Sequence, residues 1–146
     1  MRKGSKHHLI VCGPGNPLAA SLTAGNRHDV TEMIALADAI APVSGKRGRP
    51  RKRPKRLLAD RAYDSRHHRD QLRARHVAPV IAKRNTAHGS GLGKERLVVE
   101  RSFAWLHQYR RLRVRYERRA DIHEAFLTIG CALICFKALQ RTAAFR

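Results

Sequence analysis

The sequence predicts an α/β fold in which a mixed sheet is covered by helices. Three observations carry this. Strand-like and helix-like runs alternate through the first half of the chain. Apolar spacing turns helical from about Lys94 onward. With 42% apolar residues, 146 residues suffice for one real core, so residues 1–146 read as a single domain.

The elements follow in order. His8 to Cys12 and Pro17 to Thr23 read as two strands, and the turn formers Gly13, Pro14, Gly15 and Asn16 join them as a hairpin. Next comes a helix closed by Pro42. Asp29 and Glu32 have the spacing of a capping box there, and Val30, Met33, Ile34, Ala37 and Ile40 recur at helical spacing. Arg56 to Ala62 is a third strand, Ser65 to Arg75 a polar helix, and Val77 to Ala82 a fourth strand. Pro79 confines that last strand to a sheet edge or a bulge. One helix is expected from Lys94 to about Leu112. A second runs from Asp121 to about Leu139, with Ile122, Ala125, Phe126, Ile129, Leu133 and Phe136 as its buried stripe.

Thirty-one Lys and Arg against eleven Asp and Glu give a formal charge of +20, which repels itself unless a polyanion neutralises part of it. Nucleic acid is the natural partner. Cys12, Cys131 and Cys135 lack metal-site spacing and fit a reducing cytoplasm. Met1-Arg2-Lys3 leads into a polar stretch, so no signal peptide is expected. Ala125 to Phe136 falls short of the roughly 20 residues of a bilayer span, so a soluble, cytoplasmic protein with no membrane partner is expected. The histidines include no zinc-site spacing.

The basic linker of residues 44–56 lies within the domain and holds Arg47-Gly48-Arg49-Pro50. That core resembles an AT-hook, whose arginines enter a narrow minor groove. The alternative, and the preferred reading, is a solvated basic loop making non-specific phosphate contacts.

On so basic a chain, carboxylates are scarce. Asp60 ends the apolar run Leu57-Leu58-Ala59, where ligands to open α/β sheets sit. Along the next helix, Arg96, Glu100, His107 and Arg111 follow at offsets of four, seven and four, which sets one carboxylate among cations on one face. Two-metal phosphodiester chemistry needs carboxylates that hold Mg²⁺ or Mn²⁺. Against this, Asp60 serves equally as a strand-end aspartate, Asp64 as a helix N-cap, and Glu100 as a solvated partner of Arg96 or Arg101. The arginines from Arg110 to Arg119, with Tyr109 and Tyr116 interleaved, suit a DNA backbone.

Leu57 to Ser65, followed by Arg96-x-x-x-Glu100 and by His107, Arg110, Arg111, Leu112, Arg115 and Tyr116, resembles the catalytic portion of bacterial insertion-sequence transposases of the DDE type, in the family numbered five. Lys3 to Leu9 and Leu22 to Asp29 resemble that family's connecting segments, so the likeness covers almost the whole chain. The resemblance implies a ribonuclease-H-like mixed sheet with C-terminal helices. It implies Asp60 and Glu100 as catalytic, metal-holding residues in a two-ion site and puts Arg96 and His107 at phosphate-contacting positions of its signature; the residues' own reading adds Arg110 and Arg111 from the arginine cluster and Arg47 and Arg49 from the basic linker as DNA contacts. In the family's signature Gly93 takes the place of a Tyr and His107 that of a Lys.

The resemblance places the first catalytic Asp on a strand before Lys3, ahead of the start of this chain, so the metal site and the sheet's centre are both expected to be incomplete. Three origins are open: a truncated relic, the downstream product of two overlapping frames, or a fragment pairing with an upstream product that supplies the Asp. The implied activity is cleavage of double-stranded DNA at element ends and strand transfer to a target by the full-length relative, with homo-oligomers possible and the isolated chain inactive. The alternative is a DNA-binding remnant, or an accessory or inhibitory partner of an intact transposase.

Overall fold

The computed structural model describes residues 4–44, 47–84 and 93–143, with backbone alone over residues 93–96. The hairpin forms as its sequence asks. Strand β1 (Ser5–Val11) pairs antiparallel with β2 (Pro17–Ala24), Leu9 opposite Ala20 and Ile10 opposite Ala19. In the turn the Gly15 N–H donates to Cys12 O (2.8 Å), and Gly15 adopts φ +97°, a conformation open to glycine.

The following helix is shorter than expected and lacks the capping box. A 3₁₀ turn over Asp29–Glu32 leads into α1 (Met33–Asp38), and His28 is the N-cap with no side-chain hydrogen bond. Hairpin groups hold both acids instead. Asp29 meets Lys6 Nζ at 3.0 Å, while the buried Glu32 accepts from Ser21 Oγ (3.2 Å) and pairs with Arg27 Nε (3.1 Å). Charge-assisted bonds to nearby cations outcompete local capping in a chain this basic.

A β-α-β unit comes next. Strand β3 (Arg56–Ala59) runs through a 3₁₀ turn (Arg61–Tyr63) to α2 (Arg66–Ala74) and β4 (Ala78–Ile81), and β3 pairs parallel with β4, Leu57 opposite Pro79. Pro79 lacks a ladder donor and is accommodated because β4 lies at an edge of its two-stranded ladder. The strands thus form two separate two-stranded ladders, one antiparallel and one parallel, and no ladder joins β1 to β3 among the described residues. The two meet through side chains, Ile10 of β1 packing on a cluster that contains Leu57.

The long helix expected to reach Leu112 is broken. Helix α3 (Gly93–His107) ends in i−3 bonds, Gln108 N–H to Trp105 O and Tyr109 N–H to Leu106 O, before α4 (Arg110–Arg113). No glycine or proline marks the break. Tyr109, extended at ψ 114°, packs on the buried cluster of Leu106, Leu112, Leu127 and Ile134, and that tertiary contact overrides helical continuity.

Helix α5 (Ala120–Ala143) corrects the expected stripe. Its buried residues are His123, Leu127, Gly130 and Ile134, whereas Ile122, Ile129, Leu133 and Phe136 are exposed. Both faces of the helix are apolar, so periodicity alone could not choose between them. Gly130 decides the choice: a Cβ there would lie 2.6 Å from Leu112 Cδ1 and 3.2 Å from Leu106 Cδ2. Helix α5 is also longer than the apolar run suggested, and it is long and apolar enough to cross a membrane by length and composition.

Two cores result, with the hairpin between them. Met33, Ala37, Leu57, Leu72, Val77 and Ile81 form one, joined by Ile10; Leu106, Leu112, Leu127 and Ile134 form the other, joined by Leu9 and Ala20. Because strand side chains alternate, the neighbours Leu9 and Ile10 serve opposite cores.

Candidate functional site

Asp60 closes β3 and is exposed; its Oδ1 accepts the Ala62 N–H at 2.9 Å and so caps the 3₁₀ turn that follows. Tyr63, at the end of that turn, is half-buried. Burial first, then the charges of Asp29 and Asp60, push its hydroxyl up to about 12, so Asp29 shares this acidic neighbourhood. Asp29 entered the sequence reading only as a helix cap, and no local pattern distinguished it.

Asp64 ties elements together. Arg69 donates to its Oδ1 from Nε (2.9 Å) and Nη2 (2.7 Å), and the Arg84 N–H donates to its Oδ2 (2.7 Å). The Arg84 N–H and the Arg69 guanidinium hold its carboxyl below the usual range. The N-cap position of α2 belongs to Ser65, so Asp64 is structural in a different way from the expected cap.

Glu100 is exposed on α3, and the hairpin turn fixes that helix close by. Ser102, fully buried, donates from Oγ to Gly15 O (2.7 Å), with Val98 O also in reach at 2.9 Å, while Arg101 Nη2 donates to Pro14 O (3.0 Å). Asp60 thus rises from one core and Glu100 from the other.

The cations divide. Arg96 lies on α3, but its side chain is outside the described residues. His107 is exposed at the end of α3, its ring 6.5 Å from that of His7. Arg111 is not on the Glu100 face, because the turn at Gln108 and Tyr109 redirects the chain; it pairs with Glu117 and lies over the Phe126 ring at 5.0 Å. Arg110 donates to the Tyr116 hydroxyl (3.0 Å). Arg47 and Arg49 are exposed in the first half of the basic loop, which the Val43–Arg51 bridge closes (2.8 and 2.9 Å).

A buried polar chain escaped the sequence reading. His7 Nε2 and His123 Nε2 share a hydrogen bond at 2.9 Å, and His123 Nδ1 lies 3.2 Å from Glu117 Oε2. Burial, then the neighbouring histidines His123, His107 and His8, lower His7 to about 4. Burial raises the Glu117 carboxyl, but its own backbone N–H and bonds from Arg111 and His123 outweigh this and leave it lowered. His7 and His123 are 116 positions apart, so no local pattern could link them.

Asp60 and Glu100 offer the oxygen donors that a hard divalent cation takes. No group of three or more His, Cys, Asp or Glu suited to a metal stands together among the described residues.

Residues 1–135 match the family described as Transposase DDE domain. The putative transposase for insertion sequence element IS402 of Burkholderia cepacia is 60% identical over 140 residues, an alignment covering 96% of this chain and 66% of that protein. The chain therefore spans just under two thirds of that relative's length. No solved structure matches it.

Proposed function

The chain belongs to the transposase DDE domain family, and from that membership we propose that it is the part of an insertion-sequence transposase that brings two of three catalytic carboxylates, Asp60 and Glu100, to DNA. The family's chemistry depends on divalent metal, which supplies Lewis acidity at the phosphate when bound. The ion is Mg²⁺ or Mn²⁺, and Asp60 and Glu100 are this chain's oxygen donors to it. The third carboxylate comes from an upstream strand or an upstream-frame product. Membership of the family numbered five and a ribonuclease-H-like sheet belong to the same reading, with one further strand lying between β1 and β3 and turning two ladders into one sheet.

The observation that carries the proposal is the emergence of both carboxylates, solvent-exposed, from two cores that flank a single hairpin. Arg96 and His107 share the α3 face with Glu100 by helical spacing and contact phosphates there. Arg110, Arg47 and Arg49 extend the DNA contact along the surface, and Arg111 joins them when it exchanges Glu117 for a phosphate. Cleavage at element ends followed by attack of the freed 3′-hydroxyl on target DNA is the reaction of the complete enzyme.

The test supplies the chain with an upstream Asp-bearing strand and follows nicking of an end-containing duplex. Mg²⁺-dependent nicking is expected, with Asp60→Ala and Glu100→Ala each losing at least about a hundredfold, the scale on which removal of catalytic electrostatics acts. Nicking that survives Glu100→Ala refutes the assignment.

A further inference from the structure

Beyond the carboxylate face, we infer that the cleft between the end of α3 and the C-terminal half of α5 is a separate binding site for single-stranded nucleic acid. The cleft has a volume of about 400 Å³ and is lined by Trp105, Gln108, Tyr109, Lys137, Gln140 and Arg141, with Ile134 at its base. It lies within the ~300–1,000 Å³ range of ligand clefts. No carboxylate lines it, so every charge it presents is positive.

The aromatic rings and the cations are already juxtaposed. Arg101 and Arg141 hold their guanidinium carbons 5.3 and 5.8 Å from the Trp105 ring, and Lys137 Nζ lies 5.8 Å from the Tyr109 ring. These cations lie over the rings, and a single strand engages both when the exposed Lys137 and Arg141 swing from the ring faces to its phosphates and leave the faces to its bases. An acidic peptide would use the charges and leave the rings idle, which is why the occupant is a nucleic acid. At about 100° per residue, Trp105 lies about 140° around α3 from Glu100. A strand in the cleft is therefore held from a different side of the helix than DNA at the carboxylates.

Trp105 is the chain's only tryptophan, so its fluorescence reports on this cleft and the core beside it and on no other part of the chain. The experiment titrates the 146-residue chain in EDTA with a short oligothymidylate, a duplex of equal length, inorganic phosphate and polyglutamate. EDTA separates the result from metal-dependent nicking, which can fail or succeed independently. The oligothymidylate is expected to quench Trp105 strongly, with the duplex at least about tenfold weaker and phosphate and polyglutamate near the baseline. The Lys137→Glu, Arg141→Glu double variant, and separately Gln108→Glu, are each expected to weaken the quench about tenfold or more. These side chains are exposed, and unchanged far-UV circular dichroism would establish that the variants fold. Equal quenching by duplex, phosphate or polyglutamate overturns the site, as does no quenching or quenching indifferent to the variants.

Discussion

The core beneath β3 and the core beneath α5 each hold a leucine wholly excluded from water, Leu72 in one and Leu127 in the other, yet they are assembled differently. The first draws on Ile10 and otherwise on residues between Val30 and Ile81, and helices and strands close around it. The second gathers Leu9 and Ala20 from the hairpin with residues more than eighty positions away, and it leaves the far side of α5 apolar and exposed. One candidate carboxylate stands on each. The geometry between Asp60 and Glu100 is thus set less by either core than by the hairpin whose two faces they share.

The largest effect expected is that of Leu72→Ala, at about 2–5 kcal/mol for a large-to-small change in a closed core. Urea unfolding followed by Trp105 fluorescence, which reports the second core, and by circular dichroism should shift by the same amount if the hairpin couples the cores. Divergent transitions would break the comparison into two independent units. Next is Gly130→Ala, where the added methyl meets Leu112 and Leu106, and overpacking should cost about 1–3 kcal/mol in the same measurement. Ser102→Ala removes a buried hydroxyl that links α3 to the hairpin turn and should cost about 0.5–1.5 kcal/mol. In the complete enzyme it should also slow nicking, because Glu100 loses a fixed platform.

The smallest effect lies on the pH axis, because His7 is half exposed and solvent screens it. In the fold His7 stays neutral down to about pH 4, whereas the unfolded chain takes that proton near 6.5. Between these values the unfolded state binds more protons, so the urea midpoint should fall as pH drops from 6.5 to 4. His7→Asn should flatten that slope, leaving the part due to His8, which burial also lowers.

Much of the first core and of the hairpin was legible in the sequence, because the signals there are local. Gly13 to Asn16 announced the turn, Met33 and Ala37 recurred at helical spacing, and Asp60 ended an apolar run. Glu100 was singled out as a candidate by the order of motifs around it. The second core hid for physical reasons. Its decisive residues look wrong one at a time: Gly130 inside a helix, His123 on a buried face, and Glu117 amid arginines. Each makes sense only against a partner on another element, which spacing along one helix cannot reveal. The break after His107 belongs with these, being enforced by where Tyr109 packs.

The Val43–Arg51 bridge has an engineering consequence. Its two hydrogen bonds hold Val43 and Arg51 together and so close the excursion of residues 44–50 at its base. Replacing residues 44–50 with a tight two-residue turn should leave both cores standing while discarding three of the eight cations of residues 44–56. A protease cut at Arg49 should likewise leave two halves that stay associated. The excursion behaves as a detachable module, and its contribution to DNA affinity can be weighed without disturbing the rest of the molecule.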